Sequence, residues 1–228
     1  MKKIIRVTGK GQISIPPDRI RLLFGLEERK DTYREAIKAS KESVVELRKI
    51  FEKLGFDIKE LKTTNFEIDS VFETEKVKKD EYKRVFKGYK YSHVLKIEFD
   101  LDYDLLGKIL DKVSRCECHP EFDISYTIKD KEAVKNKLLE KAVKDSRAKA
   151  EILAKAAEMN LDELISMDYS WGELELTTSP YGRLMDAMPL SLEEDDYYMS
   201  DEPLQLEPDD IKASDTVTVM WKLKSGKA

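Results

Sequence analysis

The stretch "CECHPE", residues 116 to 121, gathers the residues best suited to chemistry. Cys116, Cys118 and His119, with Glu117 or Glu121 beside them, offer soft and borderline donors of the kind that hold zinc. Structural zinc sites usually take Cys-x2-4-Cys plus a second ligand pair, and the other histidine, His93, sits inside an alternating apolar run. The competing reading is a helix-to-strand turn with two ordinary thiols. A Cys–His nucleophile is disfavoured, because adjacent residues rarely face each other and no third orienting group is evident. Paired carboxylates such as Glu193 and Asp196 fall in an acidic segment without burial to tune them, so acid–base catalysis is not expected there.

A second candidate is the Gly-Lys-Gly of residues 9 to 11. A phosphate cradle places its glycines between a strand and the start of a helix, so that free amides and the helix dipole meet the anion. Here both flanks read as strands, no helix begins before Thr32, and Lys10 is not followed by Ser or Thr. Gly9 and Gly11 are therefore structural, marking a bend or bulge. Pro16 and Pro17 cannot donate to a ladder and belong at a strand end or turn.

These candidates are carried by elements that the hydrophobic pattern delineates. Ile20, Leu22, Phe24 and Leu26 alternate with polar residues, as a half-buried strand does. Tyr33, Ile37, Ser40, Val44, Leu47, Phe51 and Leu54 form one helical stripe over about residues 32 to 54. Thr32 with Glu35 is a capping-box pattern, and Gly55 supplies the left-handed stop. Two long strands follow, "LKTTNFEIDSVFE" and "EYKRVFKGYKYSHVLKIEFDL", joined by a lysine-rich tip. The aromatic run "YKYSHV" reads as core packing, since no basic groove accompanies it for base stacking.

A second helix spans about residues 102 to 115, capped by Asp102. A strand then carries Phe122, Ile124, Tyr126 and Ile128. The third helix, about 130 to 159, has a thin stripe of Leu139, Ala142, Ser146, Ala150, Leu153 and Ala157, which permits close approach to a sheet. "LISMDYSWGELE" and "DTVTVMWKLK" complete the strands.

Between residues 171 and 210 the chain holds twelve acidic residues, one basic residue, Arg183, and four prolines. An acidic insertion at about 177–207 is expected to be mobile. Its Tyr181, Met185, Met188, Tyr197, Tyr198 and Met199 make it a candidate interaction segment. The order β(β)-α-β-β-α-β-α-β-loop-β implies an α+β fold, largely antiparallel, with three helices packed on the sheet. No domain boundary is evident before residue 171, so one domain over 1–228 is expected.

The bulk properties exclude several classes. A net charge of −5 with 38% charged residues argues against nucleic acid as main partner. No run of about eighteen apolar residues provides a membrane span. "MKKIIRVTGK" lacks the apolar core of a secretory leader, which leads to the expectation of a cytoplasmic chain. Two cysteines one residue apart make a poor disulfide, so reduced thiols are expected.

Five motifs in order carry a family resemblance. They are "VTGKGQISIPPDRIRLLFGLE"; Lys53, Leu54 and Gly55 with Leu61 to Thr63; and Tyr91 through Asp102 with Leu106, Gly107 and Asp111. Then come Ala142, Asp145, Arg147, Lys149, Ala150, Leu153 and Ala154, and the closing run from Pro208 to Leu223. Together they resemble the SIMPL domain family across the whole chain. Asn160, Ser146 and Asp209 depart from the family pattern of Gly, Ala and Gly, and the resemblance implies that Asn160 takes the left-handed end of the third helix in place of that Gly. The resemblance implies no catalytic residues and no cofactor. It implies relatives described as envelope antigens, stress-linked proteins or signalling partners, some assembled into large ring-like or channel-like homo-oligomers. The expected function is accordingly non-enzymatic, exercised through homo-oligomerisation and protein–protein contacts. The alternative is metal or redox response at Cys116, Cys118 and His119.

Overall fold

The computed structural model describes residues 3–78, 81–169, 174, 176–179 and 207–225. The elements are β1 (Ile4–Ile15), β2 (Arg19–Lys30), α1 (Tyr33–Lys53), β3 (Lys62–Lys78), β4 (Glu81–Asp100), α2 (Tyr103–Ser114), β5 (Glu121–Thr127), α3 (Lys131–Ala156), β6 (Met159–Asp168), β7 (Thr177–Thr178) and β8 (Ile211–Ser225). The α+β class and the antiparallel pairing are as the sequence implies. The single expected sheet is instead two, each with its own helical cover. The chain groups into two compact units, residues 1–18, 127–178 and 208–228 in one, and 19–126 and 179–207 in the other.

In the unit built on residues 19–126, the strand order is β3-β4-β2-β5. Ile20, Leu22, Phe24 and Leu26 are all buried and meet α1 and α2. The capping box at Thr32 is complete: Glu35 N–H donates to Thr32 Oγ1 (3.3 Å) and Thr32 N–H donates back to Glu35 Oε2 (3.1 Å). Gly55 ends α1 with φ +92°, the left-handed stop its position requires. The buried face of α1 comprises Ala36, Ala39, Ser40, Val44, Leu47 and Phe51, so Tyr33 stands outside it, 52% exposed.

β4 outruns its neighbour. It pairs with β2 only from Tyr89 to Asp100, yet with β3 from Glu81 to Lys96. The distal half of the hairpin is therefore a two-stranded arm. A bulge at Lys87 and Gly88 marks its root, where Gly88 adopts φ +112° and any Cβ would lie 2.3 Å from Lys30 O.

The other unit holds the sheet β1-β8-β6 with α3 across it. Here the Gly-Lys-Gly expectation is corrected. Gly9 and Gly11 lie in the middle of an unbroken strand that pairs with β8 residue for residue, with neither bend nor bulge. Their purpose is proximity. A Cβ on Gly9 would lie 2.0 Å from Ala142 O, and one on Gly11 would lie 2.0 Å from Leu138 O. Two strand residues advance about 6.8 Å and four helix residues about 6 Å, so glycines two apart match a helix face repeating every four. That face is Val134, Leu138, Ala142, Ser146, Ala150 and Ala154; Leu153, expected in the stripe, is 51% exposed.

Pro16 and Pro17 stand between β1 and β2, as expected. Asn160 does not end α3. It pairs with Lys224 inside β6, and the left-handed residue is Glu158 (φ +55°). The segment residues Tyr181, Met185, Met188, Tyr197, Tyr198 and Met199 lie outside the described residues.

Gly9→Ala or Gly11→Ala forces a side chain into helix backbone and is expected to cost about 3 kcal/mol or more, the upper range of overpacking. The corresponding loss is roughly 6–12 °C in Tm for a chain of this size. Gly107, inside α2, gives the opposite result, because a Cβ there would meet nothing within 4 Å. Gly107→Ala should stabilise by about 0.5–1 kcal/mol. Parallel thermal melts of the three variants check both signs.

Candidate functional site

The Cys cluster lies where α2 gives way to β5. Cys116 N–H donates to Val113 O (3.0 Å), and His119 N–H donates to Cys116 O (3.3 Å), closing a turn over residues 116 to 119. His119 takes φ +38°, uncommon for a residue with a side chain. From α1, Glu46 reaches over and its Oε1 accepts the Glu117 amide (2.8 Å). This turn brings the Cα atoms of Cys116 and Cys118 to 5.4 Å, inside the range a disulfide spans, and the two are bonded. The expectation of reduced thiols is thereby corrected: the backbone turn supplies the proximity that sequence spacing alone does not reveal. Closing so short a loop is worth only about 1.6 kcal/mol in chain entropy, roughly half that of a 15-residue loop.

The structure thus brings Cys116 and Cys118 together, whereas His119, on the same turn, is not among the donor atoms gathered with them. It adds a residue that sequence reasoning missed. The two Sγ atoms and a Glu46 carboxylate oxygen all lie within 4.8 Å of one another. Glu46 lies seventy residues upstream, on a helix rich in charged positions, and nothing in its local sequence distinguishes it.

Cys118 and His119 line an open cavity of about 620 Å³. Its wall carries Glu27, Glu28, Glu35, Glu42, Glu46 and Glu117 against Lys30 and Lys38. Much of this charge is already engaged. Glu27 pairs with Lys90, which holds its carboxyl below the usual range, and Lys30 pairs with Glu28, which raises the ammonium. Tyr91 sits in the floor with its hydroxyl 3.1 Å from Ser43 Oγ, and burial pushes the phenol up. Its 2% exposure assigns the "YKYSHV" run to core packing.

His93 takes no part in the cluster. Its Nδ1 is 3.0 Å from Ser40 Oγ, its Nε2 is 2.8 Å from Thr63 Oγ1, and the Phe66 ring stands edge-on to it. Burial first, and the Arg48 charge second, hold its pKa below the ordinary value.

An α+β scaffold of antiparallel sheets, with a disulfide-closed turn as its most chemical feature, defines the class of molecule. The chain belongs to the SIMPL family, described as a protein of unknown function (DUF541), whose model matches residues 5–221. It is similar to two proteins named 26 kDa periplasmic immunogenic protein, from Brucella abortus (strain S19) and Brucella melitensis biotype 1. Each is 26% identical over 163 residues, which is 72% of this chain and 65% of the relative, just under two-thirds of its length. The cytoplasmic expectation is corrected by these relatives, which are named as periplasmic. No helix among the described residues is long and apolar enough to cross a membrane.

Because folded His93 resists the proton that an unfolded histidine takes up near pH 6.5, stability is full above that pH and falls as the pH drops below it. Melting between about pH 7.5 and about 5.5 should show this loss in the native chain and a smaller loss in His93→Gln. Equal slopes would refute the assignment.

Proposed function

We propose that this SIMPL protein is a non-enzymatic assembly protein whose copies associate through a strand edge. The observation that carries this reading is the contrast between the two edges of the β1-β8-β6 sheet. The β1 edge is covered by α3: Asp145 Oδ2 accepts the Lys10 amide (2.7 Å), Lys141 Nζ donates to Gln12 O (3.0 Å), and Lys149 Nζ lies 3.5 Å from Thr8 O. Among the described residues, β6, at the opposite edge, has β8 as its one sheet neighbour and exposes Leu164, Ile165 and Met167 at 46–48%. Open edges bearing apolar side chains are templates for pairing, and folded proteins ordinarily protect them. A second copy presenting the same edge in the opposite direction is the occupant proposed. The setting inferred is an oxidising periplasm, which agrees with the names of the relatives and with the Cys116–Cys118 bond.

Light scattering coupled to size exclusion at tens of micromolar should give a mass above that of one chain. Ile165→Lys combined with Met167→Lys should weaken association by at least about tenfold, because each lysine would need desolvation at the joint. A native chain that stays monomeric throughout that range would end the proposal, as would assembly insensitive to both lysines.

A further inference from the structure

The 116–119 turn supports a second chemistry, independent of assembly. We propose that Cys116, Cys118 and Glu46 form a redox-gated site for a thiophilic divalent metal ion of the zinc class, closed as the disulfide and opened by a dithiol reductant.

Three observations carry it. The donor set is the first: two sulfurs and one carboxylate oxygen within 4.8 Å of one another, from two separate elements. Two thiolates and a carboxylate suit a borderline-soft ion and leave a fourth position for solvent. The second is that the site survives reduction. The turn is held by His119 N–H to Cys116 O and by Glu117 N–H to Glu46, bonds that do not involve sulfur, so opening the disulfide leaves the ligands placed. The Glu117 amide also fixes one carboxylate oxygen, as outer hydrogen bonds orient metal ligands elsewhere. The third is access. Cys116 is 2% exposed, whereas Cys118 lines the 620 Å³ cavity, whose glutamates favour entry of a cation.

The chemistry balances without further parts. A thiolate of the dithiol attacks Cys118 Sγ, the S–S bond breaks, and its electron pair leaves on Cys116 Sγ, which takes up a proton. The second thiol of the reductant then attacks the mixed disulfide and releases Cys118 as a thiolate. The reductant ends as its own disulfide, two electrons poorer. Metal binding then displaces the proton on Cys116 and takes Cys118 as the thiolate already released, while Glu46 enters as carboxylate.

The test uses the full chain with zinc as probe and cobalt as its spectroscopic substitute. Protein prepared without reductant and then unfolded should show no titratable thiol. After treatment with a dithiol and anaerobic removal of excess, it should show two. Isothermal titration should give one zinc per reduced chain, at least about 100-fold tighter than to the oxidised chain, since thiolate ligands are absent from the latter. Glu46→Gln, checked for unchanged far-UV spectrum and thiol count, should weaken zinc at least about 10-fold, since losing a ligand costs no less than losing one of the outer hydrogen bonds that orient ligands. Cobalt in place of zinc should give a sulfur-to-metal charge-transfer band that Cys118→Ser weakens and that the double variant Cys116→Ser with Cys118→Ser removes. Equal zinc affinity before and after reduction overturns the gate, and so does a count of two thiols without reductant. Unchanged affinity in Glu46→Gln removes Glu46 from the site. A double cysteine variant that binds as tightly as the reduced chain overturns the whole proposal.

Discussion

The backbone contact between β1 and α3 is the constraint on which one half of the molecule depends. Helices normally rest on sheets through their side chains, at about 10 Å. At Gly9 and Gly11 the side chains are removed, and helix carbonyls occupy the space where Cβ atoms would stand. The helix must then be small along its facing stripe, which accounts for Ala142, Ser146 and Ala150. Closeness also brings Lys141, Asp145 and Lys149 within reach of the strand's outer amide and carbonyl groups. One sequence device thus sets helix height and seals a sheet edge.

This pairing explains what was legible and what was not. The glycines could be recognised as structural because no helix follows them, but their partner lies more than 120 residues away. A reading along the chain finds a bend where the molecule has a docking groove. The capping box at Thr32 and the stop at Gly55 are local devices and are read directly. The end of α3 lacked such a device, since a left-handed Glu158 has no compositional signature and Asn160 attracted the assignment instead. The grouping of residues into two units is invisible in composition. Its crossing points fall in the turn between β1 and β2, near residue 18, and inside β5, between Tyr126 and Thr127, and one unit is assembled from three separated segments.

The cysteine turn shows the same division. Two thiols and a histidine announce themselves by type. Their bonded state depends on a turn geometry, and Glu46 depends on the packing of α1 beside it. The family gives no activity to borrow, so the chemistry of the turn and the asymmetry of the β6 edge stand on their own geometry. The first concerns one unit and the second the other, and neither requires the other to hold.

The arm formed by the distal halves of β3 and β4 has one more implication. Beyond the Gly88 bulge it is held by its own rungs and by cross-strand pairs such as Phe72 with Phe86, with Arg84 over the Phe72 ring, and near its root by the ion pair of Glu73 with Arg29 of β2. It extends about 25 Å by strand rise and lies outside the buried cluster that β2 and α1 share. Two-residue insertions or deletions there preserve which side each group faces and leave the interior untouched. Evolution can therefore change the reach of this projection almost freely, and relatives of unequal size should differ there before they differ anywhere within the packed layers.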